Sequence, residues 1–134
     1  MKEPRIIKLP KLESDRGNLS IIEGHAQIPF NIRRVAWIYD VPGGEQRGAH
    51  AYRCTQEFIV ALSGSFDVVL HDGTRQQTFP LNRSYYGLYV PQGWWRMMNN
   101  FSTNAVALVV ASTDYDENDY IWDFDEFKAW REAQ

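Results

Sequence analysis

The stretch GEQRGAHAYRCTQEFIVALSG, residues 44–64, decides how the rest of the chain is read. Its first half alternates: single residues separate His50, Tyr52 and Cys54, so an extended strand turns all three to one face. Its second half runs from Glu57 through an apolar segment to Ser63-Gly64-Ser65, a turn signal. Three polar or reactive groups on one inward face need a use, because burying a polar group without a partner costs roughly 1–3 kcal/mol. The spacing is as informative as the alternation. Five residues separate Gly44 from His50, one separates His50 from Tyr52, four precede Glu57, and six lead to Gly64.

That spacing resembles the first motif of the cupin barrels, in which a second metal-binding histidine stands where Tyr52 stands here. A second segment, Pro91, Gly93, Arg96 and Asn100, resembles the other cupin motif with arginine in place of histidine. Zinc, iron or manganese needs three or four His, Cys or carboxylate ligands, and only His50 and Glu57 remain of the motif's set. His25 falls in a loop and His71 beside a hairpin turn, where exposure is expected. The expectation is a barrel that keeps the scaffold, holds no metal and needs no cofactor.

Outward from this stretch, short runs rich in Val, Ile, Phe, Tyr and Trp alternate with Gly, Pro, Asn and Asp. Strands are expected at residues 6–9, 19–23, 34–39, 50–54, 57–63, 65–71, 75–81, 84–90, 94–99 and 105–112. Asp72-Gly73 between two such runs predicts a type I′ hairpin. The pattern is that of an all-β jelly-roll, the double-stranded β-helix of cupins, in one domain over residues 1–134. The tail differs: Ile121, Phe124, Phe127, Ala129 and Trp130 follow helical spacing, so a short helix over 124–132 is expected on the outside, capped by Asp119 or a neighbour. The acidic residues around it read as a solvated helix start rather than a metal cluster.

Composition sets bounds. The chain has 134 residues, 14 basic against 17 acidic, for a net charge of -3, which offers no electrostatic footprint for nucleic acid. No apolar run is long enough to span a bilayer, and a lone cysteine excludes an intrachain disulfide, so a cytoplasmic protein without membrane or nucleic-acid partners is expected. Cys54 itself reads as a small buried filler. Arg16, Arg34, Arg47 and Arg96 fall beside turns or strand ends that open onto a barrel mouth, and guanidinium forks suit phosphates and carboxylates.

Six further segments carry a closer likeness: DRGNL at 15–19, IPFNIRRV at 28–35, RGAHAY at 47–52, ALSGSF at 61–66, GLYVP at 87–91 and YDENDYI at 115–121. Together they resemble the nucleotide-sugar 3,4-ketoisomerases, small metal-free cupins related to deoxysugar epimerases. The resemblance implies a homodimer, often with exchanged N-terminal strands, that binds a dTDP-linked 4-keto-6-deoxyhexose and moves its carbonyl from C4 to C3 through an enediol. It implies that His50 is one half of the acid/base pair and that Tyr52 occupies the place of the other half. It also puts Arg34, Arg47 and Trp37 where nucleotide or sugar is gripped, with Trp37 in place of the family's usual tyrosine. Arg16 and Arg96 fall near positions that influence which sugar face is reprotonated. Histidine titrates at about 6.5 and tyrosine at about 10, so Tyr52 is the better donor than acceptor. A binding-only cupin for a sugar nucleotide or carbohydrate is the alternative, since half of the usual pair is gone.

Overall fold

The structure is a computed structural model that describes residues 2–134. In chain order its strands are β1 (Arg5–Lys8), β2 (Leu12–Ser14), β3 (Gly17–Leu19), β4 (Arg34–Ile38), β5 (Arg47–Tyr52), β6 (Glu57–Ser63), β7 (Phe66–His71), β8 (Gln76–Leu81), β9 (Tyr86–Val90), β10 (Trp95–Asn99), β11 (Val106–Ala111) and β12 (Tyr120–Ile121). Helix α1 (Phe124–Glu132) closes the chain. Two five-stranded sheets, ordered β1-β9-β6-β11-β4 and β12-β5-β10-β7-β8, face each other as the cupin jelly-roll, and β2 and β3 form a separate hairpin.

Alternation along the strands builds two cores. Inward residues such as Ile59, Ala61, Val68, Leu70, Leu88, Met98 and Ala107 fill the closed end between the sheets. The other face of β6, Phe58 and Val60, packs with Tyr89 and Val110 beneath Leu9, Ile28 and Phe30 of the N-terminal region. Strand β6 is therefore apolar on both faces, which explains why its sequence is a continuous run rather than an alternating one. At the open end the inward positions turn polar, and a cavity remains.

Helix α1 occupies the expected residues, but its cap is Asp123, whose carboxylate accepts the Glu126 N–H at 2.9 Å. Asp119 does a different task. It is buried and accepts N–H bonds from Cys54 at 2.6 Å and Thr55 at 3.2 Å, together with the Thr55 hydroxyl. The chain bends there to meet Asp119, so β5 ends at Tyr52 and Cys54 is exposed instead of continuing the inward face as a buried filler.

Other expectations shift locally. Residues 20–23 carry no strand; the strand expected there is replaced by the β2–β3 hairpin, paired Leu12 to Leu19. The hairpin at Asp72-Gly73 forms, yet its loop spans residues 72–75 because β7 pairs with β8 from His71 to Gln76. Asp72 Oδ1 accepts from the N–H groups of Thr74 and Arg75, which replaces the two-residue type I′ turn with a side-chain-closed one. His71 is half-buried, its ring edge-on to Phe124 at 4.8 Å.

Candidate active site

The cavity at the open end measures about 300 Å³ and is walled by β4, β5, β6, β10, β11 and the segment before α1. Strand alternation aims Arg34, Ala36 and Ile38 of β4 into it, and Gly48, His50 and Tyr52 of β5. Ala36, Ile38, Val109 and Ala111 of one sheet give an apolar wall with Arg34 beside them, and Arg47 and Arg96 stand on the facing sheet.

Arg96 and Glu57 form the floor. Arg96 Nε lies 2.7 Å from Glu57 Oε1 and Nη2 lies 2.9 Å from Oε2, with both residues buried. Burial disfavours the Arg96 charge, but the Glu57 carboxylate more than offsets it and holds the guanidinium above its ordinary pKa. Two of the four cupin metal positions are thus filled by a cation on a carboxylate, and that donor set does not fit a metal ion. Strand β10 places Arg96 directly opposite His50 of β5. The third nitrogen of Arg96 approaches the Gly48 carbonyl at 3.3 Å, which is possible because residue 48 lacks a side chain and adopts φ +74°.

His50 is 6% exposed, and neither of its ring nitrogens has a hydrogen-bond partner among the described residues. A buried imidazole left so costs folding energy, a cost found where a group must meet a ligand. Burial, helped by the positive charges of Arg96 and Arg34, pulls its pKa down to about 3. At neutral pH it is therefore an uncharged ring with one lone pair, the state a proton acceptor needs. Around it stand Tyr52 with ring centroid at 4.9 Å, Tyr120 at 4.9 Å and Trp122 at 5.1 Å. Tyr52 donates its hydroxyl to Tyr120 at 3.3 Å. Burial, with the Glu57 charge adding to it, raises the Tyr52 pKa well above the usual phenol range, so Tyr52 stays protonated.

Residues 2–132 match the model of the family described as FdtA, WxcM-like, C-terminal. The chain belongs to the FdtA family. A TDP-4-oxo-6-deoxy-α-D-glucose 3,4-oxoisomerase from Aneurinibacillus thermoaerophilus is 41% identical over 128 residues, 96% of this chain and 92% of that relative. Among solved structures, a 3,4-ketoisomerase from Helicobacter canadensis superposes with TM-score 0.95 at 37% identity, covering 98% of this chain and 99% of the other. QdtA, a sugar 3,4-ketoisomerase from Thermoanaerobacterium thermosaccharolyticum solved in complex with TDP, superposes with TM-score 0.94 at 33% identity, covering 97% and 95%.

In this FdtA-family chain the fold brings together His50, Tyr52, Arg34, Arg47 and Arg96 around one cavity. It does not bring Trp37 or Arg16 there. Trp37 points to the opposite face of β4 from Arg34 and Ala36 and is 60% exposed. Arg16 is exposed in the turn between β2 and β3. Residues not singled out from the sequence are Tyr115, Tyr120 and Trp122, of which the first two line the cavity. Their signal was the alternation Tyr120-Ile121-Trp122, in which Ile121 is buried beside Ala51 and Phe127 and the two aromatic rings stack on the other side at 4.9 Å.

Proposed function

We propose that the chain is a 3,4-ketoisomerase that moves the carbonyl of a dTDP-linked 4-keto-6-deoxyhexose between C4 and C3, without a metal or other cofactor. One observation carries the mechanism: a buried, neutral His50 with both nitrogens free, facing a cavity whose mouth is lined by Arg34 and Arg47. The hydrogen at C3 is acidified by the C4 ketone. His50 removes it as general base, an enediol forms, and His50, whose proton exchanges with solvent in the interval, returns one at C4. The two mouth arginines grip the diphosphate, whose negative charge offsets the arginine charge that adds to burial in depressing His50, which makes the base stronger once substrate is bound. Tyr52, held protonated, stands where a second histidine would otherwise stand. The binding-only alternative gains no support from the relatives, which are described as isomerases.

A homodimer is part of this reading. Val35, Trp37 and Leu62 on the outer sheet face are 49%, 60% and 48% exposed, and Leu12 and Leu19 on the hairpin are 55% exposed each. Apolar surface of this kind marks a protein interface. A second copy seated there covers Trp37 and lets the hairpin carry Arg16 toward the neighbouring cavity. A cytoplasmic site and a role in deoxysugar biosynthesis complete the proposal, with residues 1–134 acting as one domain.

The test follows dTDP-4-keto-6-deoxyglucose by NMR in deuterated water. Wild-type protein is expected to shift the ketone with deuterium entering at the exchanging carbon, while His50→Asn binds TDP but neither shifts nor exchanges. A fully active His50→Asn protein overturns the assignment. Light scattering that finds only monomer overturns the dimer.

A further inference from the structure

Strand β12 pairs with β5 so that Tyr120 lies directly across from Tyr52, and the two rings sit 4.7 Å apart between centroids. Tyr52 is buried, and its hydroxyl points at the Tyr120 oxygen. A phenol has a single proton to donate. With that of Tyr52 committed to Tyr120, the O–H left for the cavity is the one on Tyr120, which lines the cavity and is only partly buried. Trp122 stacks flat on the ring, 6° from parallel, and fixes its plane.

We propose that Tyr120 is a catalytic residue of this chain, the group that carries the proton between the two substrate oxygens while Tyr52 supports it from behind. This rests on the ketoisomerase reading. As His50 takes the C3 proton, the C3–H electrons form the C3=C4 bond and the carbonyl electrons move onto the C4 oxygen. Tyr120 gives its proton to that oxygen, and an enediol and a phenolate result. The phenolate is held by the hydrogen bond from Tyr52, a neutral donor to an anion and hence stronger than before. In the second half the C3 hydroxyl returns a proton to Tyr120 as the C3 carbonyl forms, and the double-bond electrons take the His50-held proton at C4. Both residues end as they began. The substituted cupin position then does not remove the donor from the site; it moves the donor one strand over.

The test compares Tyr120→Phe and Tyr52→Phe, which keep both rings and remove one hydroxyl each. Removing a donor to a developing oxyanion costs about 10²–10³ in kcat. That loss is expected for Tyr120→Phe, with TDP affinity and KM within about threefold, while Tyr52→Phe loses less. The double variant should match Tyr120→Phe alone, because Tyr52 acts through Tyr120. A Tyr120→Phe enzyme within about threefold of wild-type kcat, or a Tyr52→Phe enzyme that is the more damaged of the two, overturns the assignment to Tyr120. If wild-type protein leaves the ketone in place, the ketoisomerase reading itself fails, an outcome distinct from an active wild type with an equally active Tyr120→Phe.

Discussion

Arg96 grips Glu57 with two nitrogens, at 2.7 and 2.9 Å, and both residues are nearly sealed from water, at 4% and 2% exposed. The pair joins β10 to β6 across the cavity floor and brings a fixed positive charge within reach of His50. In a cupin with a metal, that charge would come from the ion. Here the sequence provides it as a guanidinium, which needs its own carboxylate to be tolerated in the interior.

Glu57→Gln is expected to cost about 3–5 kcal/mol in urea denaturation, because it leaves the Arg96 charge buried without its counterion. Replacing both partners together, Glu57→Leu with Arg96→Met, should cost less than the single change. Equal or greater loss in the double variant contradicts the view that the penalty is an uncompensated charge.

Gly48→Ala puts a side chain where Arg96 Nη1 now lies and asks alanine to hold φ +74°. The backbone strain alone amounts to about 1–3 kcal/mol. A lowered thermal midpoint and a displaced Arg96 in a crystal structure are the expected results. Unchanged stability would mean that the backbone relaxes out of the left-handed region.

His50 gives the folded state a specific acid sensitivity. Its pKa falls from 6.5 to about 3 on folding, so between those values the unfolded chain binds the proton and the folded one does not. The contribution to stability is intact above the unfolded value and declines as pH falls toward about 3, by on the order of a few kcal/mol in all. In His50→Gln, urea midpoints should fall less between pH 6.5 and about 4 than in wild type. For the same reason wild-type kcat/KM should stay level from about pH 8 down to about pH 5, since free His50 is already neutral there. An acid limb near 6.5 would show that burial and the neighbouring arginines do not depress it.

Asp119 ties the aromatic segment to the bend after β5 through Cys54 and Thr55. Asp119→Ala leaves those N–H groups without a partner and should cost about 2–3 kcal/mol. Hydrogen exchange at residues 120–121 should quicken and kcat should fall, although Asp119 does not line the cavity. Normal protection of β12 in the variant would show that the segment is held by its aromatic packing instead.

What could be read in the sequence was local. Alternation placed His50 and Tyr52 on one inward face, motif spacing singled out Glu57 and Arg96, and helical spacing bounded α1 at Phe124 and Glu132. The same rule misread Cys54, because alternation holds only while the strand continues and Asp119 bends it. Trp37 shows the opposite limit. Its period puts it on a face, and whether that face looks into the cavity depends on which side of β4 the second sheet lies.

The sequence by itself determined an all-β chain with a capped terminal helix and the residue types available at the open end, because strand and helix periods and turn chemistry act over a few neighbours. Only the tertiary structure decided that Arg96 pairs with Glu57, 39 residues away, and that Tyr52 meets Tyr120, 68 residues away. Contacts at such separations come from how the sheets stack and which strand completes an edge, and no local pattern encodes them.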